Sequence, residues 1–102
     1  MNVNPQDYII TVAAGTGSIE TKSYPGGAVH GLMMMAAFKA PTAAAEYDIQ
    51  IYDALDYLLY AENDLVGTTS ISLEKLCNSS LRIVISGATV DGSYNTRLYL
   101  RN

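Results

Sequence analysis

The sequence predicts an all-β fold, a single β-sandwich or jelly-roll-like domain of about eight antiparallel strands. Apolar and polar residues alternate along several segments, with the period of two that a strand with one buried face requires. Turn-forming residues separate these segments at intervals of about 8–12 residues, as in sandwiches and barrels. The chain has 102 residues, which is one domain, and 49% of them are hydrophobic, too many for a disordered chain.

Three segments in the second half of the chain show the clearest alternation. They cover residues 47–51, 81–86 and 94–101. Because successive strand residues point to opposite faces, the apolar members of each segment fall on a single face. The residues predicted to face the interior are Tyr47, Ile49, Ile51, Leu81, Ile83, Ile85, Tyr94, Thr96, Leu98 and Leu100.

Weaker signals complete the set of strands. Residues 8–13 are rich in β-branched side chains, and further strands are predicted at 57–61 and 67–73. A four-residue loop at 53–56 is predicted to join two strands as a hairpin. Other breaks are predicted at residues 24–27, 40–42, 63–64, 78–80 and 90–93, where Pro, Gly, Asn or Asp is present.

Two segments allow a second interpretation. Residues 28–39 contain many helix formers and do not alternate; an extended conformation is favoured, and a helix is the alternative. Residues 43–62 have a helical stripe of apolar residues, but their Tyr and Ile residues favour strands. Residues 1–7 are predicted to form an N-terminal arm, extended or disordered, before a sandwich domain that covers residues 8–102.

Composition narrows the class of partner. Only 16% of the residues are charged, against about 25% in an ordinary soluble domain, which suggests that another protein covers part of the surface. The net charge is −4, so nucleic acid is not an expected partner. The N-terminal residues lack the features of a signal peptide, and the longest apolar stretch, 31–38, is too short to cross a bilayer. No membrane partner is therefore expected, and synthesis in the cytoplasm is predicted.

The sequence contains no recognisable set of catalytic or metal-binding residues. His30 is the only histidine and lies in an apolar segment, so a structural role is favoured. Cys77 is the only cysteine, which excludes an internal disulfide and fits a small apolar filler in a reducing compartment. Solvated loop carboxylates are the favoured interpretation of Asp53, Asp56, Glu62 and Asp64, whose spacing is not that of a calcium loop. We therefore expect no enzyme activity, no cofactor and no metal.

Two features point to a binding surface. Three consecutive methionines cannot all face one small core if the strand is regular, so at least one is a candidate for an interface. Eight of the nine aromatic residues are tyrosines, and two of them fall on the polar faces of their strands. The alternative explanation for the methionines is that they fill the core, and the alternative for the tyrosines is their preference for β-strands. The candidate interface residues are Met33, Met34, Met35, Phe38, Tyr52 and Tyr99.

Residues 47–53, 57–60 and 83–98 resemble small virion proteins of tailed bacteriophages. The last segment ends in the pattern Gly-Ala-x-x-Asp-Gly-x-Tyr-x-x-Arg-Leu, which covers residues 87–98. Proteins of that kind are β-sandwiches or jelly rolls that decorate capsids as cement or staple proteins, or that belong to the neck or tail. The resemblance carries over no catalytic residue, and residues 31–38 depart from its simple hairpin pattern.

The resemblance implies a structural virion protein, made in the host cytoplasm, that stabilises the head by binding where capsomers meet. It implies protein partners, such as the major capsid protein, and self-association into an oligomer. Two alternatives stay open: a neck, adaptor or tail component of the virion, and a carbohydrate- or receptor-binding module, for which Tyr52 and Tyr99 are the support.

Overall fold

The computed structural model describes residues 3–13, 18–21 and 29–101. All the regular structure in these ranges is β-strand, as the alternating sequence pattern predicts. The eight strands are β1 (Val3–Val12), β2 (Ser18–Thr21), β3 (Val29–Lys39), β4 (Glu46–Tyr52), β5 (Leu58–Val66), β6 (Thr69–Ser79), β7 (Arg82–Ser86) and β8 (Gly92–Arg101). The predicted break at 24–27 lies outside the described residues, as do the side chains of His30 and Cys77.

The strands form two antiparallel sheets of four. Sheet A has the order β1-β8-β3-β6, and sheet B has the order β2-β7-β4-β5. Apart from the β4–β5 hairpin, each connection between consecutive strands crosses from one sheet to the other. This order is that of a jelly roll, in which two four-stranded sheets pack face to face. The predicted fold class is confirmed.

The core lies between the two sheets. All ten residues that the alternation predicts to face inward are buried. Two of them are tyrosines whose hydroxyls donate to backbone oxygens: Tyr47 to Gly67 O at 2.7 Å, and Tyr94 to Val90 O at 2.7 Å. Their rings meet edge to face, with centroids 5.1 Å apart. The tyrosine rings therefore contribute apolar contact without leaving an unpaired hydroxyl in the core.

β3 is extended along its whole length, so the helical alternative for residues 28–39 is wrong for the part that is described. Its lack of alternation comes from a β-bulge. The register shifts between Met33 and Met35 in the pairing with β8 and again in the pairing with β6. Met33 lies opposite Leu100 and Met35 lies opposite Tyr99, so Met34 is an additional residue relative to β8. Because of this additional residue, the side chains that follow the bulge face the opposite side from the one that an unbroken alternation would give them.

A second bulge occupies the predicted turn at 63–64. These residues lie inside β5, and Asp64 has a φ of 59°. The Asp48 carboxylate accepts a hydrogen bond from the backbone N–H of Asp64 at 2.8 Å. Turn-forming residues thus interrupt the register of β5 without ending the strand. The β4–β5 loop is also one residue longer than predicted and covers 53–57.

The first strand starts before the predicted domain boundary. Residues 1–7 are assigned to an arm by sequence, but β1 begins at Val3, and residues 3–7 pair with β8. Pro5, which lies opposite Tyr99, has no N–H to contribute to a ladder. β1 is an edge strand of sheet A, where the missing donor is tolerated.

Candidate interaction surface

The bulge in β3 places two methionines on the same side of sheet A. Met33 is fully buried in the core, and so is Ala36, on the other side of the bulge. Met34 and Met35 between them are both half-buried. Met35 lies beside Tyr99 on the neighbouring strand β8, whose outward residues alternate with the buried ones. The outward-facing residues of sheet A, which we call the outer face of sheet A, therefore carry a compact apolar centre.

A groove on this outer face runs over β3 between β8 and β6. Its volume is about 410 Å³, and it is open to solvent. Apolar side chains from β3 supply part of its lining, and one arginine and one glutamate supply charged groups. The lining residues are Leu32, Met34, Ser72, Leu73, Glu74 and Arg101. A smaller groove of about 290 Å³ lies further along the same sheet, between Ala37, Arg97 and Tyr99.

An ion pair borders the apolar centre. Arg97 donates from Nε to Oδ1 of Asp7 at 2.8 Å and from Nη2 to Oδ2 at 2.9 Å. The hydrogen bond from Arg97 is the main reason that the pKa of Asp7 lies below its ordinary value. The same bond, together with one that involves Tyr99, raises the pKa of Arg97. The two hydrogen bonds hold the Arg97 guanidinium beside Tyr99, and the Asp7 carboxylate neutralises its charge at the border of the outer face of sheet A.

Tyr52 lies on the opposite side of the molecule from Tyr99. It belongs to β4 in sheet B, where it pairs with Arg82 of β7. The guanidinium carbon of Arg82 lies 4.3 Å from the centroid of the Tyr52 ring. Arg82 also binds the Asp56 carboxylate, with 3.2 Å between Nη2 and Oδ1. One face of the Tyr52 ring is therefore already covered by a cation within the same chain.

The structure brings together three of the six candidate residues. Met34, Met35 and Tyr99 share the outer face of sheet A, whereas Tyr52 is on sheet B. Met33 and Phe38 are buried in the core, so a folded monomer offers neither to a partner. Because the bulge decides which methionine faces inward, a regular period-two pattern does not separate Met33 from its neighbours.

Sequence reasoning missed part of the exposed apolar surface. Leu32 and Arg101 line the main groove, and they are register partners on β3 and β8. Leu55 is exposed in the predicted loop at 53–56, and Tyr57, predicted to begin the next strand, is exposed in the same loop. The available signal was the presence of a large apolar residue, Leu55, inside a predicted loop, where small or polar residues are usual.

The hydroxyls of two further tyrosines, Tyr47 and Tyr60, make hydrogen bonds within the fold. Burial raises the pKa of Tyr47 to about 12 and keeps its hydroxyl protonated as a donor. Tyr60 donates to Glu62 at 2.6 Å.

Within the described ranges, no three His, Cys, Asp or Glu side chains come together as a metal site. The part of the chain that the structure describes also contains no helix of the length and hydropathy needed to span a membrane.

No protein-family model matches the chain, and no curated protein matches it. Solved structures are similar to it, and three of them have a TM-score of 0.50 or more. The Yersinia pseudotuberculosis-derived mitogen is 12% identical, with a TM-score of 0.58 over 97% of this chain and 87% of that one. A protein of Bacillus endospore appendages, described as a family of disulfide-linked pili, is 12% identical, with a TM-score of 0.50 over 96% and 87%. PirA is 14% identical, with a TM-score of 0.51 over 92% and 93%.

At these identities the likeness shows the fold alone. The chain shares a β-sandwich with proteins of different kinds, among them a pilus protein. The attribution to tailed bacteriophages receives no support from these matches and rests on the sequence segments alone.

Proposed function

We propose that the chain is a structural virion protein of a tailed bacteriophage that decorates the head and stabilises it at capsomer junctions. It acts through protein–protein contacts and has no catalytic activity. The observation that carries the proposal is the apolar centre on the outer face of sheet A, where the bulge places Met34 and Met35 near Tyr99. The resemblance of residues 83–98 to small virion proteins supplies the virion as the location.

The outer face of sheet A has the composition of a protein interface. Methionine adapts its shape to a partner, and tyrosine adds contact area together with a hydroxyl. The Arg97–Asp7 pair borders this centre, as charged groups do at the rim of an interface. A standard interface buries about 800 Å² on each partner, a large share of the 5493 Å² that this chain exposes.

The fold is compatible with a repeating subunit. A sandwich of the same fold occurs in the pili of Bacillus endospore appendages. Jelly rolls are also a common architecture for viral capsid domains. Both observations support assembly as a use of this fold, and the outer face of sheet A supplies the surface for it.

Co-sedimentation with capsids tests the proposal. The purified chain is added at increasing concentration to capsids assembled from a phage major capsid protein of the same genome. We expect saturable binding that Met35→Asp weakens at least tenfold. Val66→Asp is the matched control, because Val66 is an exposed apolar residue of sheet B and its replacement leaves binding unchanged. If the chain does not bind capsids and binds a glycan or a cell receptor instead, the proposal is wrong and the chain is a binding module.

A further inference from the structure

Leu76 on β6 is the most exposed large apolar residue in the part of the chain that the structure describes. Its exposed fraction is 80%, and β6 is an edge strand of sheet A. Leu76 lies opposite Leu32 of β3, and Leu32 lines the groove over β3. A single exposed leucine is ordinary on a protein surface, but this one lies beside an open apolar groove on the same outer face.

Two charged side chains line this groove from opposite sides. Glu74 lies on β6 between the register partners of Met33 and Met35, and Arg101 lies on β8 opposite Leu32. Because β6 and β8 both pair with β3, and neighbouring strands lie about 4.8 Å apart, roughly 10 Å of sheet separates the two backbones. Within the described ranges, neither charged side chain makes an ion pair or a side-chain hydrogen bond.

The other charged residues near the groove do not neutralise these two charges. Arg97 is held by Asp7 through two hydrogen bonds. Lys75 lies opposite the inward-facing Met33, so the alternation of the strand directs it to the other side of sheet A. The groove therefore carries an acid on its β6 side and a base on its β8 side. A partner of a single charge sign would be attracted by one side and repelled by the other.

A second copy turned by 180° about an axis parallel to β3 complements this arrangement. Between two facing sheets, such a rotation exchanges the two sides of β3, so β6 of one copy lies over the groove of the other. Leu76 then reaches the groove at the level of Leu32, because register partners lie at the same height along a sheet. Glu74 comes within reach of the side that carries Arg101 of the second copy. A two-fold axis perpendicular to the strands would instead bring β6 over β6 and acid toward acid.

We propose that two copies form a symmetric dimer in which each inserts Leu76 into the β3 groove of the other and pairs Glu74 with Arg101 of the other. The groove volume of about 410 Å³ leaves room for a leucine side chain. The same patch is used by both copies, so the contact closes as a pair.

This inference rests on the proposed function, because it treats the outer face of sheet A as an assembly surface. It adds the identity of one partner and the residues that select it. Since the capsid is proposed to contact the same face, a second copy and a capsid compete for it.

Charge reversal tests the pairing of Glu74 with Arg101, with light scattering coupled to size-exclusion chromatography as the measurement. Glu74→Arg sets two cations against each other in the dimer, and Arg101→Glu sets two anions, so each variant alone should associate about tenfold more weakly or less. An equimolar mixture of the two variants places opposite charges together at both contacts and should form a heterodimer. The double variant, which keeps the net charge of the wild type, should dimerise as the wild type does.

Truncation of the inserted leucine has a matched control. Leu76→Ser should weaken dimerisation about tenfold or more, whereas Leu55→Ser should leave it unchanged, because Leu55 is 79% exposed in the β4–β5 loop, outside sheet A. Glu46→Arg, at an exposed position of sheet B, is the control for charge reversal. The substituted leucines are exposed in the monomer, so both variants should stay folded, which circular dichroism and thermal unfolding check.

Three outcomes overturn the inference: a monomeric wild-type chain at its highest soluble concentration, equal dimerisation of Leu76→Ser and Leu55→Ser, or a mixture of the two charge variants that associates no better than either alone. The two proposals fail separately. A monomer that binds capsids contradicts only the two-fold contact. A chain that dimerises, but does not bind capsids at concentrations below its dimer dissociation constant, contradicts only the virion role.

Discussion

The outer faces of the two sheets differ although the sheets share one fold. On sheet A, the outward neighbours Met35, Ala37 and Tyr99 form an apolar centre. On sheet B, the outward positions of β4 are Asp48, Gln50 and Tyr52, and Arg82 covers the ring of the last. Since both faces are equally free of the core, packing does not require the difference. The proposed function assigns the protein contact to the outer face of sheet A and leaves the outward side chains of β4 to water.

One bulge from each sheet shows the same contrast. The bulge in β3 adds an outward methionine to sheet A, whereas the bulge in β5 lies in the acidic run Glu62-Asn63-Asp64 at an edge of sheet B. Charged residues and bulges on an edge strand oppose pairing with another sheet. A bulge therefore extends the apolar surface of sheet A. On sheet B, a bulge together with acidic residues protects the edge strand from pairing with another sheet.

The largest effect that tests this comparison is a charge on either side of the β3 bulge. Met33→Asp places a carboxylate in the core and should abolish cooperative folding, because an isolated buried charge has no compensating partner. Met35→Asp places it on the outer face of sheet A and should change the free energy of unfolding by about 1 kcal/mol or less. Urea unfolding of both variants measures the difference. Equal losses of stability would contradict the assignment of inward and outward methionines.

A smaller loss of stability is expected when a side chain of sheet B loses its core contacts. Ile83→Ala should lower the free energy of unfolding by about 2–5 kcal/mol, because Ile83 is fully buried. Leu76→Ala is the matched control: Leu76 is 80% exposed on β6, and its truncation should cost about 0.5 kcal/mol or less. A loss below half a kilocalorie for Ile83→Ala, measured by denaturant unfolding, would show that the inward phase of β7 is misassigned.

The smallest effect concerns the Arg97–Asp7 pair. Both side chains are more than a third exposed, so solvent screens the pair and its contribution to the free energy of unfolding is small. The folded-state pKa of Asp7 lies below its ordinary value of 3.8, so the contribution is complete well above pH 3.8 and is lost as the pH falls through the folded pKa. Asp7→Asn should remove this part of the acid dependence, and Asp53→Asn, which is distant from Arg97, should retain it.

Thermal unfolding as a function of pH measures both variants against wild type. High salt should reduce the difference between wild type and Asp7→Asn at neutral pH, because exposed pairs are screened. An unchanged pH profile in Asp7→Asn would mean that the pair makes no net contribution to stability.

The sequence predicted the fold where period two was unbroken. β4 and β8 alternate without interruption around their buried residues, and their inward positions were identified. In β7 the predicted inward residues Ile83 and Ile85 are buried, and so is Val84 between them. Residues 28–39 were ambiguous because a bulge at Met34 breaks the alternation, and a bulge depends on the register of two neighbouring strands. The start of β1 was missed for a related reason: pairing with β8 extends the strand through Pro5, whose local preference indicates a break.

The candidate surface was predicted in part for the same physical reason. Tyr99 follows the regular alternation of β8, so its outward position could be read from sequence. Which methionine faces outward depends on the bulge, and the nearness of Leu32 to Arg101 depends on strand order, which no local pattern contains. The exposure of Leu55 depends on the contacts that Asp53 makes across the loop.

The central claim is that the outer face of sheet A is the assembly surface, and a matched pair of tyrosine variants tests it most directly. Tyr99→Asp and Tyr52→Asp introduce the same charge at half-buried tyrosines on opposite sheets. The measurement is the affinity of each folded variant for capsids, determined by co-sedimentation. The account predicts at least a tenfold loss for Tyr99→Asp and wild-type affinity for Tyr52→Asp. Equal affinities for the two variants, or a loss confined to Tyr52→Asp, would contradict it.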